Sequence, residues 1–323
     1  MRLFARNPSR ELSQLNQERA KKKLPQIEFY KGSIGDKSAL RDAMQDCAGV
    51  FHLAGLVIHS RQNPQPVFET NVTGTMNVLK ASKVFPGLKV VYASTSGTVA
   101  ISKEKNETAN DDSPYATQYT KHWPYYQSKV EAEIKALEYA KKNKIALVVM
   151  RPSMMLGPED FYLRATKTVR SFLDRHIPFV PSGGVSFLDV RDAAMAFATA
   201  MTQAGVSGQT YLLAAHNCSL VEFFDMLQSV SGIRRPSLKF PPWLAVGAAT
   251  SLDAFNRKVK GKWEPGVDPV KAEMANHWWN VDASKAEQDL TFNPRPPIDT
   301  LRDTVEWLKS NETSIHPVWQ SKL

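Results

Sequence analysis

From residue 27 onward short apolar runs alternate with amphipathic stretches, the pattern of a parallel sheet covered by helices. Ile27 to Lys31 reads as a strand, and Lys37 to Cys47 as a helix with Leu40, Ala43 and Met44 on one face. Val50 to Ala54 is the next strand, ended by Gly55. The spacing of Val72, Met76 and Leu79 predicts one long helix from about Pro66 to Phe85, followed by the strand Lys89 to Ala93. Pro124 opens a helix to about Lys144 with Val130, Ile134 and Leu137 inward, and Ile145 to Met150 is a fourth apolar run. Unbroken apolar runs suit buried parallel strands, and right-handed crossovers order them into an open, doubly wound α/β sheet.

After Arg151 the pattern loosens. Pro181, Gly183 and Gly184 mark a loop, Asp192 to Gln203 a helix, and Thr210 to Ala214 the last strand. From about His216 the chain reads as helical and irregular, punctuated at Pro241, Pro242, Pro294, Pro296 and Pro297. The expected division is a sheet domain formed by residues 1–152 with 186–215, and a smaller C-terminal lobe formed by 153–185 with 216–323.

At 323 residues, 42% hydrophobic and 23% charged, the chain has enough apolar material for a folded core and is not a disordered protein. Its net charge of +9 raises the question of nucleic acid, but the basic residues are interleaved with acids, and the densest run, Lys21 to Lys23, reads as a solvated face. A mildly basic surface also suits an anionic small molecule. Cys47 and Cys218 stand far apart without partners at metal-ligand spacing, so neither a disulfide framework nor a metal site is expected. Met1 to Arg10 lacks a long apolar stretch, and Trp243 to Leu252 is too short to span a bilayer. A reducing, cytoplasmic setting is expected.

Tyr125 and Lys129 stand one turn apart at the start of a predicted helix. A free tyrosine, with a pKa of about 10, is a poor proton relay near neutrality, and a nearby ammonium stabilises its phenolate. Such a pair can do acid/base work, although one Tyr-x-x-x-Lys among nine tyrosines is weak evidence alone. Upstream, Ser94 to Val99 puts hydroxyls at the carboxyl end of a strand, the edge where open α/β sheets bind ligands. A hydroxyl there can hydrogen-bond a carbonyl oxygen, or simply cap a turn.

The order and spacing of several stretches resemble the short-chain dehydrogenase/reductase superfamily, in its extended epimerase/dehydratase branch, and most closely its dihydroflavonol-4-reductase-like members. These stretches are Val50 to Gly55, Asn71 to Val78, Ser94 to Val99, Pro124 to Lys129, Arg151 to Ser153, Phe187 to Asp192, Asp282 to Ala286 and Pro294 to Pro296. The resemblance implies a Rossmann-type sheet that binds a nicotinamide cofactor. It makes Tyr125 the proton donor/acceptor, with Lys129 lowering its pKa and holding the nicotinamide ribose. Thr95 takes the hydroxyl role, which Ser94 or Ser96 could share, and Asn71 supports the lysine. Leu53, Ala54, Gly55, Ser94, Pro152 and Ser153 would line the cofactor, with Ser33 and Ile34 beside the adenine. Arg6 stands where an acidic residue would read adenosine ribose hydroxyls, and arginine there accommodates a 2′-phosphate, so NADP is expected rather than NAD. The resemblance also implies a homodimer through the two long helices, with Val78, Ala132 and Ala136 as apolar residues left for the interface.

The match begins at the family's second strand. The first strand, its glycine-rich phosphate turn and the first helix are not found in the sequence, which should leave two strands with unpaired edges. The expected explanation is an incomplete version of a functional enzyme; the competing one is a product that lost catalysis, a cofactor sensor or scaffold. As an enzyme the chain is expected to reduce a ketone or aldehyde, the alternatives being oxidation of a sterol-like 3β-hydroxyl or epimerisation of a nucleotide sugar. The substrate is a small carbonyl or hydroxyl compound in each case.

Overall fold

The computed structural model describes residues 1–8, 10–237 and 269–311, with the single positions 247, 250 and 251. Pro241, Pro242 and the Trp243 to Leu252 stretch lie outside the described residues, apart from those three positions. In chain order the elements are β1 (Arg2–Ala5), α1 (Arg10–Lys21), β2 (Glu28–Lys31), α2 (Lys37–Met44), β3 (Gly49–His52), α3 (Gln65–Phe68), α4 (Gly74–Ser82), β4 (Lys89–Ala93), α5 (Thr117–Thr120) and α6 (Pro124–Asn143). There follow β5 (Ala146–Pro152), β6 (Met154–Leu156), α7 (Lys167–Leu173), β7 (Gly184–Asp189), α8 (Val190–Thr202), β8 (Thr210–Leu213), β9 (His216–Ser219), α9 (Leu220–Ser231), α10 (Pro269–Met274), α11 (Ser284–Leu290) and α12 (Pro297–Ser310).

The central sheet has the order β3-β4-β5-β8 and is parallel throughout. Successive side chains of a strand point to opposite faces, and both faces here are covered. Val90, Tyr92, Leu147 and Val149 pack toward Leu40, Leu79 and Ala136 of α2, α4 and α6. Val91, Val148 and Met150 pack on the other side with Ala193, Ala196 and Phe197 of α8 and Ala286 and Leu290 of α11. This is the doubly wound α/β arrangement read from the sequence. Residues beyond Pro152 add a three-stranded sheet, β6-β7-β9, whose outer strand β9 runs antiparallel to β7, above a core of Phe172, Phe187, Phe223, Leu227 and Leu301.

The sheet is split, as expected from the sequence. β1 pairs with β2 alone, in parallel, and β3 pairs with β4 alone, so β1 and β3 each have one partner among the described strands. Phe51 on the β3 edge and Leu53 just beyond it are 45% and 64% exposed. No helix among the described residues is long and apolar enough to cross a membrane.

Two expectations are corrected. The helix drawn from Pro66 to Phe85 is in three pieces, because Glu69–Thr73 forms a π-turn between α3 and α4. The Thr75 hydroxyl donates to the Asn71 carbonyl at 2.6 Å, giving that carbonyl a side-chain partner where the turn is widened. The second concerns the residues assigned to a subunit interface. Val78, Ala132 and Ala136 are buried within one chain, and so cannot face a second subunit.

Candidate active site

The site is built where β4 ends. After Ala93 the chain turns through Ser94 and Thr95 into a 3-10 turn, Ser96–Thr98, and the Thr95 side chain accepts from Gly97 N at 3.3 Å. The capping role weighed from the sequence is therefore real, and it leaves Thr95 close enough to the Tyr125 phenol to lower its pKa. Gly97 is needed for close packing: a Cβ there would lie 2.1 Å from the Tyr126 ring and 3.0 Å from Trp279. Pro124 starts α6 behind an extended Trp123, so Tyr125 lies in the first helical turn and Lys129 in the next.

Burial pushes the Tyr125 phenol up to about 12, and the Thr95 hydrogen bond draws it down. Burial lowers Lys129 to about 8, opposed by the nearby Glu133 carboxylate. The Lys129 ammonium donates to the Ala93 carbonyl at 2.8 Å and lies 5.1 Å from the Tyr92 ring centroid. Lys129 is thus tied to the end of β4 in this arrangement, and the shift of the Tyr125 phenol comes from burial and Thr95 rather than from the lysine expected to lower it.

Asn71 is buried in the π-turn and holds two segments together. Its Oδ1 accepts from Leu56 N at 2.8 Å, and its Nδ2 donates to Leu56 O at 3.0 Å and to Ser128 Oγ at 2.9 Å. Ser128 Oγ donates in turn to the Tyr125 carbonyl at 2.7 Å. A Cβ on Gly55 would stand 3.5 Å from both Asn71 Oδ1 and Lys129 Nζ, so the loop leaving β3 passes directly over the lysine.

The other expected cofactor residues are dispersed around this edge. Leu53, Ala54 and Gly55 are exposed on the loop after β3, and Arg6 and Ser33 are exposed just past β1 and β2. Ile34 is half-buried against Gly74, and its carbonyl accepts from Asn77 at 3.2 Å. Pro152 and Ser153 are buried at the end of β5, and the Ser153 hydroxyl has no hydrogen-bond partner among the described residues. Ser94 is different, because its hydroxyl donates to the buried Glu133 carboxylate and is held away from the open edge.

Three residues were missed by sequence reasoning. Glu133 is fully buried and binds the Arg151 guanidinium at 2.9 and 2.6 Å, with Tyr115 donating to it at 3.1 Å. Its signal was available, since it follows Lys129 by one turn on the same inward face. His52 stacks on Tyr92, with ring centroids 5.1 Å apart, and its Nε2 lies 2.9 Å from the Thr75 hydroxyl; burial, then Lys129, lowers it to about 3, so it is neutral. His59 lies with its ring centroid 5.5 Å from that of Tyr125, edge-on. A lone loop histidine gives no sequence signal for such a position.

Tyr125 and Lys129, one helical turn apart beside the hydroxyl-bearing turn after β4, thus stand at the carboxyl edge of a doubly wound parallel sheet, the edge where such sheets bind ligands. Residues 5–214 match the model of the NAD dependent epimerase/dehydratase family, and the chain belongs to that family. It is therefore an enzyme of a group of nicotinamide-dependent oxidoreductases, epimerases and dehydratases. Among curated proteins it is 25% identical over 287 residues to sterol demethylase protein B of Methylococcus capsulatus, covering 88% of this chain and 85% of the relative. It is 28% identical over 139 residues to a bifunctional dihydroflavonol 4-reductase/flavanone 4-reductase of Pyrus communis, covering 41% and 40%. The crystal structure of gox2253 superposes with a TM-score of 0.76 at 20% identity, covering 96% of this chain and 98% of that one. UDP-glucuronic acid 4-epimerase from Bacillus cereus in complex with NAD gives a TM-score of 0.67 at 18% identity, covering 97% and 89%. RMD from Pseudomonas aeruginosa complexed with NADPH gives 0.64 at 16% identity, covering 96% and 99%.

Proposed function

We propose that the chain is an NADP-dependent reductase of small ketones or aldehydes, working in a cytoplasmic setting. What carries this reading is the placement of Tyr125 and Lys129 one helical turn apart at the start of α6, with Thr95 at the end of β4 close enough to the Tyr125 phenol to lower its pKa. Tyr125 would give its hydroxyl proton to the carbonyl oxygen of the substrate, and Thr95 would steady that oxygen as negative charge develops. The nicotinamide supplies the hydride when bound. The residues fit its sugar end: an ammonium at Lys129, Asn71 securing the loop above it, and an unpaired buried hydroxyl at Ser153. For the pyrophosphate the described residues offer no glycine-rich turn leading into a helix, so the fit is confined to the nicotinamide-ribose end. The division into a cofactor unit of residues 1–152 with 186–215 and a substrate lobe of 153–185 with 216–323 belongs to this reading, as does a homodimer, its interface on surfaces other than Val78, Ala132 and Ala136.

The reading is tested by following NADPH consumption with aromatic and aliphatic aldehydes and ketones; a chain that consumes none with any of them is not this reductase. Cofactor choice has its own test. Arg6 is exposed one residue past β1, and a charge-assisted pair with a 2′-phosphate is expected to favour NADP. Arg6→Ala should weaken NADPH binding by roughly ten- to hundred-fold and leave NADH almost untouched. Calorimetry that shows equal losses for both would remove Arg6 as the reader.

The rate should also depend on pH with a definite sign. Tyr125 keeps its proton to about 12 and so does not set the alkaline limb near neutrality, whereas Lys129 loses its ammonium as pH rises through about 8. The kcat/KM for reduction is expected to be level below pH 8 and to decline above it. A profile that stays level to pH 10 would show that the Lys129 charge takes no part.

A further inference from the structure

His59 lies midway along the loop of residues 53–64 that leaves β3, and both sides of it are tied down. Asn71 holds Leu56 through both its amide atoms. On the other side Arg61 donates to the His122 carbonyl at 2.9 Å and to the Glu273 carboxylate of α10 at 3.0 Å, and Trp123 donates to the same carboxylate at 3.1 Å. The loop is thereby held against the start of α6, with His59 beside Tyr125 and Tyr126. Its ring centroid is 5.5 Å from that of Tyr125 and 6.1 Å from that of Tyr126.

The imidazole Nδ1 is buried and has no hydrogen-bond partner among the described residues. A buried polar atom left unpaired costs stability, so a position that keeps one beside a reacting group is explained if a ligand supplies the partner. Apolar side chains of similar size would fill the same space among Tyr125 and Tyr126 without that cost. Burial, and secondly Lys271, lowers the imidazole to about 4, so near neutrality it offers one N–H and one acceptor nitrogen and no charge. It is suited to an uncharged polar atom.

We propose that His59 is a specificity-determining residue: its Nδ1 makes the hydrogen bond that selects substrates carrying an uncharged polar atom close to the carbonyl group reduced at Tyr125. The inference rests on the reductase reading above. The rings of Tyr125, Tyr126 and Trp279, packed 4.9 and 5.2 Å apart in sequence, provide a wall against which a flat probe can lie.

The test uses benzaldehyde and the three pyridinecarboxaldehydes, which share one shape and differ by a single ring nitrogen, with NADPH as reductant. In the wild-type chain at least one pyridine isomer should be favoured, and His59→Leu should lower its kcat/KM relative to that of benzaldehyde by about ten-fold, whereas His59→Gln, which keeps hydrogen-bonding atoms, should retain most of the preference. The ligand-free His59→Leu chain should melt at a higher temperature than wild type, because it removes an unpaired buried nitrogen. A lower melting temperature would overturn the proposal by showing that the histidine is held by the protein itself, and this arm stands whichever aldehydes are accepted. An unchanged ratio for all three isomers, in a chain that Tyr125→Phe inactivates, overturns the role of His59 alone. Continued reduction by Tyr125→Phe removes Tyr125 from the proton-donor role instead, and a wild-type chain that reduces no aldehyde or ketone overturns the reductase reading.

Discussion

Tyr125→Phe should lower the kcat/KM of carbonyl reduction by about 10²- to 10⁴-fold while leaving the fold standing, the range expected when a positioned proton donor is removed. The phenol ring is retained, so its edge contacts with His59 and Tyr126 survive. Only the hydroxyl is lost, and the neighbouring Thr95 side chain still accepts from Gly97 N. A single neutral hydrogen bond is worth about 1 kcal/mol, so the melting curve should move by a few degrees at most. A steady-state rate assay beside a thermal melt checks both halves. A variant that kept a tenth of the wild-type rate would take the proton-transfer role away from Tyr125, and one that failed to fold would show that the hydroxyl is structural.

What the sequence could reveal follows from which interactions are local. β4 was legible from Lys89 to Ala93 because a strand covered on both faces must be apolar at every position, and Val90, Val91 and Tyr92 are almost wholly buried. Helix α1 went unread because Arg10–Lys21 is strongly polar and offers only a thin apolar stripe at Leu12 and Leu15. The short strands β6 and β9, Met154–Leu156 and His216–Ser219, exist because β7 lies between them, and neither carries a periodicity of its own. The π-turn was hidden for a related reason, since it depends on Thr75 and Asn71 meeting after the helix has formed. Val78, Ala132 and Ala136 were assigned to an interface because the neighbouring layer that buries them cannot be counted from one helix alone.

The site divides in the same way. Tyr125 and Lys129 are one helical turn apart and could be paired from spacing, and Thr95 from its place after a strand. The direction of the Ser94 hydroxyl, toward Glu133, could not, because it is set by an arginine at the end of a different strand. His59 reaches Tyr125 only because Asn71 and Arg61 fix the loop on both sides of it. These long-range ties are where the fold turns a common motif into a particular site.

Glu133→Gln is expected to have the largest effect on stability, and to change the pH dependence of the rate with it. Glu133 is fully buried and neutralises Arg151, itself 4% exposed, which keeps only Asp111 at 3.6 Å as a second carboxylate partner. Taking one member out of a buried ion pair leaves the other charge uncompensated, at a cost of about 3–5 kcal/mol, a fall in Tm on the order of 10 °C for a chain of this size. Glutamine keeps the volume, and its one carbonyl oxygen can still accept from Tyr115 while its amide nitrogen can only donate to Ser94 Oγ, so the loss falls on the charge and its hydrogen bonds rather than on the packing. The same charge supports Lys129, whose ammonium it stabilises against burial. Without it the lysine should release its proton below pH 8, and the alkaline decline in kcat/KM should move to lower pH. A calorimetric melt and a pH-rate profile on one preparation test both effects. A Gln variant that melted like wild type, with its alkaline limb in place, would show that Glu133 neither holds Arg151 nor sets the charge of Lys129.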